Sequence, residues 1–201
     1  MEKKFRILAA SDVHGDSDKF ISLAEKAEKE KVDLVLLCGD IFGWNETKNI
    51  IKPFKEKNKP VLVIPGNHEN FQDLNSLTAY YGIKNIHGSS AIYKEVGIFG
   101  AGGADLAPGF ITDKDLSKAL NKAHKGLEMI NKKILVTHMH PAGSKSEFSG
   151  FLGSEAVRQA IEKFKPTFAI HGHIHEAAGL EEMWGNTTII NVGRNGRIFE
   201  I

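Results

Sequence analysis

Four short runs of this chain are apolar at nearly every position: Phe5–Ala10 (FRILAA), Leu34–Cys38 (LVLLC), Val61–Ile64 (VLVI) and Ile134–Thr137 (ILVT). A strand with one wet face alternates apolar and polar residues, so an unbroken aliphatic run marks a strand covered on both faces. Amphipathic stretches lie between the runs. Asp18–Lys31 places Phe20, Leu23, Ala24 and Ala27 on one helical face. Further helices are read at Leu74–Tyr81, Thr112–Ile130 and Ser154–Phe164, with Thr112 and Ser154 as caps and Asp113 and Asp115 in a first turn. A weaker helix near Glu46–Lys57 is expected to bend or stop at Pro53. Ala91–Glu95, Gly97–Ala101 and Phe168–His171 read as strands. Thr187–Val192 and Arg197–Ile201 read as a terminal strand pair, with Asn195-Gly196 as its tight turn. This alternation predicts an α/β fold, with a mainly parallel sheet covered by helices and a more antiparallel edge.

The length of 201 residues suits a single domain spanning 1–201. Lys and Arg number 26 against 25 Asp and Glu, which excludes the strong basic field of a protein held on nucleic acid by phosphate contacts alone. The single cysteine, Cys38, excludes a disulfide framework and a cysteine-ligated zinc site and is expected in the core. The apolar runs fall far short of the ~20 residues that span a bilayer. No secretory leader is read after Lys3-Lys4, so a soluble, cytoplasmic protein is the expectation. Nine histidines remain to be explained, five of them between His138 and His175.

Ligands of open α/β sheets bind outside the carboxyl ends of the strands. There the chain carries Asp12-Val13-His14, Gly39-Asp40, Gly66-Asn67-His68-Glu69, Thr137-His138-Met139-His140 and His171-Gly172-His173-Ile174-His175. The D-x-H, Gly-Asp and Gly-Asn-His-Glu pieces each read alone as turn chemistry or a cap, whereas three imidazoles in the five residues His171–His175 are rarely there for packing. Together they put a histidine, a carboxylate or both at five strand ends, on one edge of the sheet. Residues i and i+2 of an extended segment point to the same side, ~6.5–7 Å apart, so Asp12 with His14 and His173 with His175 can address one metal cluster. Mixed imidazole, carboxylate and amide donors suit Mn, Fe, Zn, Ni or Co rather than calcium. The donors exceed what one ion can use, so two divalent ions about 3.5–4 Å apart are expected. Asp12 and Asp40 only half neutralise such a pair, which favours an anionic phosphate ester as substrate.

These ordered motifs, D-x-H, G-D, G-N-H-E, a single His after a strand, and G-H-x-H, resemble the calcineurin-like metallophosphoesterase superfamily from Asp12 to His175. The resemblance implies a small, cap-less member with a four-layer α/β/β/α sandwich, mixed sheets inside and helices on the outer faces. One ion would be held by Asp12, His14, Asp40 and His175, the other by Asp40, Asn67, His138 and His173. The resemblance further implies phosphodiester or phosphomonoester hydrolysis by a metal-bridging hydroxide. In it His68 is the general acid, Glu69 orients or charges His68, and Asn67 belongs with them to the catalytic set. Asn67 and His68 are the implied substrate contacts, and His140 is a further candidate. Many members carry Asp or Asn three residues after the G-D aspartate; here that position is Gly43, and Asn45 lies two further on. His171 is expected to be structural, and His87 and His124 incidental.

With little room for a cap, specificity falls to the loops Gly102–Phe110 and Ala142–Gly153. A small phosphate ester is the expected partner, with no membrane, no nucleic acid except as a nucleotide-type substrate, and a homo-oligomer left open. The alternatives are a nuclease of the same superfamily, which would need a basic strip, and a non-catalytic metal-binding scaffold, which would have lost ligands.

Overall fold

A computed structural model of the chain describes residues 4–43 and 49–201. The doubly apolar runs form two sheets rather than one. In the first, β1 (Arg6–Ala10), β2 (Leu34–Cys38), β3 (Val61–Ile64) and β4 (Lys84–Asn85) run parallel, and β11 (Arg197–Glu200) lies antiparallel on the outer edge of β1. In the second, β5 (Ser89–Tyr93) is antiparallel to β6 (Val96–Ala101). The parallel strands β7 (Lys132–Thr137) and β8 (Phe168–His171) follow, then β10 (Thr187–Asn191), with β9 (Glu181–Trp184) antiparallel at the far edge.

Period-2 alternation explains why neither face of these strands is polar. Leu8, Val35, Leu37, Val61 and Val63 face outward from the first sheet and meet α1 (Ser17–Lys29), α2 (Lys52–Glu56) and α3 (Phe71–Tyr81) through Phe20, Leu23, Phe54 and Leu74. Their neighbours Ile7, Leu36, Leu62 and Ile64 face Ile98, Ile134, Val136, Ile170 and Ile190 of the second sheet. The other face of that sheet, Phe99, Leu135 and Ile189, is covered by α4 (Asp113–His124) and α5 (Glu155–Phe164) through Leu116, Leu120, Val157 and Ile161. The result is the four-layer α/β/β/α sandwich, with Cys38 fully buried between the sheets.

The expected caps form: Thr112 Oγ1 accepts the Asp115 N–H and Ser154 Oγ accepts the Val157 N–H, as Asp16 does for Lys19. Three expectations are corrected. Pro53 stands in the first turn of α2 and so begins the helix it was expected to stop, because a first-turn N–H has no partner to lose. The residues 46–48 of that expected helix, like Asn45, lie outside the described residues. Next, α4 ends at His124 rather than Ile130, since Gly126 takes φ +86° and leaves the helical path. Last, Thr187–Val192 and Arg197–Ile201 do not pair. β10 makes its hairpin with β9, which the reading missed, and β11 crosses to the first sheet with Ile198 opposite Leu8. The intervening 194–196 segment is a crossover held to α1: Lys19 Nζ donates to Asn195 Oδ1 (2.5 Å) and Lys26 Nζ to the Gly196 carbonyl (2.8 Å). Among the described residues no helix is long and apolar enough to cross a membrane.

Candidate metal centre

The parallel strands of both sheets end on one edge of the sandwich, and the polar residues beyond them converge there. Four of those residues hold a left-handed backbone: Asp12 (φ 58°), His14 (φ 50°), Asp40 (φ 51°) and His173 (φ 71°). Such conformations cost free energy in residues other than glycine and concentrate where geometry serves function. The glycines of the motifs make room for the cluster. A Cβ on Gly66 would stand 2.1 Å from Asp40 Oδ1, and one on Gly172 would stand 1.8 Å from Ser11 Oγ and 2.6 Å from Asp12 Oδ2.

Asp40 is at the centre. Its Oδ1 accepts the His68 N–H (2.9 Å), while Oδ2 lies 3.5 Å from His138 Nε2 and 3.9 Å from both His14 Nε2 and His68 Nε2. On one side of it, His14 Nε2 and His175 Nε2 are 3.3 Å apart, and His175 Nε2 is 3.7 Å from Asp12 Oδ1. On the other, Asn67 Oδ1 is 3.1 Å from both His138 Nε2 and His173 Nδ1. His138 Nδ1 faces the Cys38 carbonyl at 2.8 Å. A carbonyl only accepts, so Nδ1 carries the proton and Nε2 points into the cluster. Asp12, meanwhile, accepts the His173 N–H, which fixes the G-H-x-H loop on the first sheet.

This donor set fits a transition metal. Donors bound at about 2.0–2.2 Å stand roughly 3–3.5 Å from one another, the spacing of the His14–His175, Asn67–His138 and Asn67–His173 pairs. Three groups, Asp12 with His14 and His175, His14 with Asp40 and His68, and Asp12 with Asp40 and His138, each bring their ligand atoms within 4.8 Å. Charge pairs couple the protonation of these side chains. Burial opposes charge on Asp40, but His138 and the His68 amide outweigh it and hold the carboxyl well below the usual carboxylate range. Burial is likewise outweighed at Asp12, chiefly by His175. Burial would also discharge His138, yet Asp40 and Asp12 raise it to about 9. His173 is pushed down to about 4 by burial and by the His138 charge, and burial lowers His14 as well. The Asp12 contact raises His175.

Glu69 is placed differently from its expected role. It is fully buried, with Oε1 accepting the Ile41 and Phe42 N–H groups (2.7 and 2.8 Å) and Oε2 accepting those of Asp40 and Gly66 (2.9 and 2.6 Å). Four donors fill the acceptor sites of one carboxylate, so Glu69 clamps the Asp40 loop to the Gly66 loop instead of orienting the His68 imidazole. Burial and the Asp40 charge raise its pKa while those amides pull it down. His140 is also not an open substrate contact: it is fully buried, and its Nε2 meets the Phe151 carbonyl at 3.2 Å. His171 lies beneath it, ring centroids 6.0 Å apart, and burial pushes it down to about 3. His87 accepts the Gly102 N–H and packs on Phe71, and His124 stacks on Phe164 at 4.0 Å. The sequence reading missed Asn191, whose Nδ2 donates to the Ile174 carbonyl (2.8 Å) and braces the G-H-x-H loop. A polar residue ending the apolar TTIIN strand was the available signal.

Comparison with known proteins agrees with this geometry. A family model described as calcineurin-like phosphoesterase matches residues 5–177. A protein of Vesicomyosocius okutanii named "Probable cyclic nucleotide phosphodiesterase" is 25% identical over 202 residues, covering 89% of this chain and 82% of its own. Among solved structures, the protein TT1561 of Thermus thermophilus superposes with a TM-score of 0.78 at 17% identity, over 98% of this chain and 99% of that one. A Danio rerio dimetal phosphatase gives 0.62 at 13% identity, over 94% and 87%. At these identities the two structures establish a shared fold.

Proposed function

The chain belongs to the calcineurin-like phosphoesterase family, and from that premise we propose that it hydrolyses a small, nucleotide-type phosphodiester with two divalent transition-metal ions. The observation that carries the reading is the position of Asp40 Oδ2, which faces His14 on one side and His138 on the other. Asp12, His14, Asp40 and His175 would hold one ion, and Asp40, Asn67, His138 and His173 the other. Such a pair supplies, when bound, a water deprotonated near neutral pH and positive charge for the phosphoryl oxygens. The name of the V. okutanii relative favours a diester over a monoester.

The chain's own residues supply orientation and the proton. His68 shares the Asp40 carboxylate with the ligand cluster: its N–H holds Oδ1, its Nε2 is 3.9 Å from Oδ2, and its ring meets His14 edge-on at 4.6 Å. Its imidazole is half-buried on the open side of the cluster, where it can protonate a departing oxygen. The Glu69 clamp sets the Asp40 peptide and thereby both neighbours of the shared carboxylate. Purified protein supplied with Mn²⁺, Ni²⁺ or Co²⁺ should hydrolyse bis(4-nitrophenyl) phosphate. His68→Ala should lose about 10²–10⁴-fold in rate, the range of a general acid, and keep its metal. Unchanged turnover in that variant would sink the assignment of the proton donor.

A further inference from the structure

Two loops flank the ligand cluster, and both are braced while exposing apolar side chains. Loop 102–111 follows β6 and is bonded to the Asn67 turn: the Gly109 N–H donates to the Asn67 carbonyl (2.9 Å) and the Gly103 N–H to that of Pro65 (2.8 Å). A Cβ on Gly109 would stand 2.1 Å from the Gly66 carbonyl, so the two backbones touch. Loop 141–153 follows β7. His140 holds the Phe151 carbonyl from below, the Lys145 N–H donates to Glu182 (2.7 Å), and the Gly153 N–H donates to Glu147 (2.9 Å). Its 3-10 turn, Lys145–Ser149, packs on the turn that starts at the ligand His175. The ends of the loops are tied together, because the Ser154 hydroxyl donates to Asp113 (2.5 Å).

From this frame Phe110, Phe148, Phe151 and Leu152 stand 57, 64, 61 and 80% exposed. Each forgoes the burial that stabilises such side chains, on backbone whose hydrogen bonds are otherwise made. Exposed apolar groups on braced loops that flank a polar centre mark a binding surface. We infer that this rim is the subsite for a planar aromatic group, a nucleobase, carried by the phosphate ester whose phosphorus sits at Asp40, Asn67 and His68. The inference rests on the phosphoesterase reading and adds which side chains receive the base. Three of the four side chains are phenylalanines, whose rings stack on any base face and lose little rotamer freedom on binding. Continuity with the phosphate site decides for the substrate's own substituent: Phe110 follows the residue bonded to the Asn67 carbonyl, and the Phe151 carbonyl is held by a histidine two residues from His138.

The test compares two diesters with the same leaving group, thymidine 5′-(4-nitrophenyl phosphate) and methyl 4-nitrophenyl phosphate, on the Mn²⁺-loaded protein. Wild type should favour the nucleoside ester in kcat/KM by about tenfold or more, the scale of one base stacked on an aromatic ring. Phe110→Ala/Phe151→Ala should bring that ratio close to one through KM, whereas the ring-retaining Phe151→Tyr should keep it. A wild-type ratio near one, or a ratio the double variant leaves intact, overturns the inference while the phosphoesterase reading stands. Hydrolysis of neither ester with any metal overturns that reading instead. Calorimetry then decides the inference: thymidine 5′-monophosphate should bind about tenfold tighter than inorganic phosphate in wild type and equally in the double variant, and equal wild-type binding refutes it. The double variant should also leave sedimentation, and flotation with anionic phosphatidylglycerol vesicles, as in wild type. A self-association or vesicle affinity that it abolishes assigns the rim to a second copy or a membrane and refutes the subsite.

Discussion

The two sheets bring different chemistry to their common edge. The first supplies both carboxylates, Asp12 and Asp40, the Asn67 amide, and His14 and His68, all from the ends of β1, β2 and β3. The second supplies imidazoles alone, His138 after β7 and His173 and His175 after β8. The first half mixes oxygen and imidazole donors, as in the His14, Asp40 and His68 group, whereas the imidazoles of the second alone bring no negative charge to set against a cation. The bonds that assemble the site cross between the sheets, from His138 to Asp40 and the Cys38 carbonyl, and from His173 to Asp12 and Asn67. Charge is balanced across the same gap, where imidazoles hold the carboxyls ionised and Asp40 with Asp12 holds His138 protonated up to about 9. Two of the three donor groups, Asp12 with His14 and His175 and Asp12 with Asp40 and His138, exist only where the two sheets meet.

Cutting the carboxylate half at its centre should have the largest effect. Asp40→Asn removes the charge that faces His14, His68 and His138, and both ions should go together. The loss should exceed the roughly 10–100-fold in affinity that follows loss of an outer contact to a metal ligand. Metal content per chain after reloading reads this directly, and one retained ion would break the idea of a carboxylate common to both.

The cross-sheet charge pair can be titrated in metal-free protein. His138 binds its proton more tightly folded, at about 9, than an ordinary imidazole at 6.5. That stabilisation is complete below about pH 6.5 and is lost as pH rises through about 9. Thermal melts should therefore fall between pH 7 and pH 10. Saturating Ni²⁺ should flatten or reverse the fall, since an ion bound in the proton's place binds tighter as its ligands deprotonate. A metal-free melting point that rises over this range would show that Asp40 does not hold the proton on His138.

The next effect tests the contact between halves without removing a ligand. Gly172→Ala would drive a methyl into Ser11 and Asp12 of the first sheet and should destabilise by about 1–3 kcal/mol, the cost of overpacking. Ser11→Gly in the same chain should restore part of it, measured by denaturant unfolding. Within the first sheet alone, Glu69→Gln replaces acceptors with donors against two of four amides and should cost about 1–3 kcal/mol per unsatisfied group. Denaturant unfolding reads this loss, and unchanged stability would show that Glu69 does not hold the two loops together.

How far these features were readable follows from the same physics. The strands were legible because both faces of each are buried, and their polar ends because ligand chemistry needs rare residue types. The partition into two sheets was legible only through the motif resemblance, since a doubly covered strand looks the same whether it meets a helix layer or another sheet. β11 shows this: Arg197–Glu200 joins β1, with Ile198 and Phe199 packing on opposite faces, and nothing local distinguishes that from a hairpin with β10. Glu69 was assigned through its motif and His140 by its place two residues after His138, while their hydrogen bonds are set by backbone groups from distant segments, Ile41 and Phe42 for one and Phe151 for the other.

The smallest effect should come from a histidine of the second half that takes no part in the cluster. His124 closes α4, stacked on Phe164 at 4.0 Å and edge-on to Phe99 at 5.2 Å, with a buried Nε2 that has no hydrogen-bond partner among the described residues. Burial and the nearby Lys133 and Lys163 charges lower its pKa, so it packs as a neutral ring. His124→Phe keeps the stack and removes the unpaired nitrogen, and it should stabilise by about 1 kcal/mol, the low end of an unsatisfied group's cost. For a chain of this length that raises Tm by about 2–4 °C, with metal content and turnover as in wild type. A drop in stability would mean that the nitrogen has a water or main-chain partner. A drop in metal content would mean that the imidazoles of the second sheet act as one network, ending the division between ligand and packing histidines.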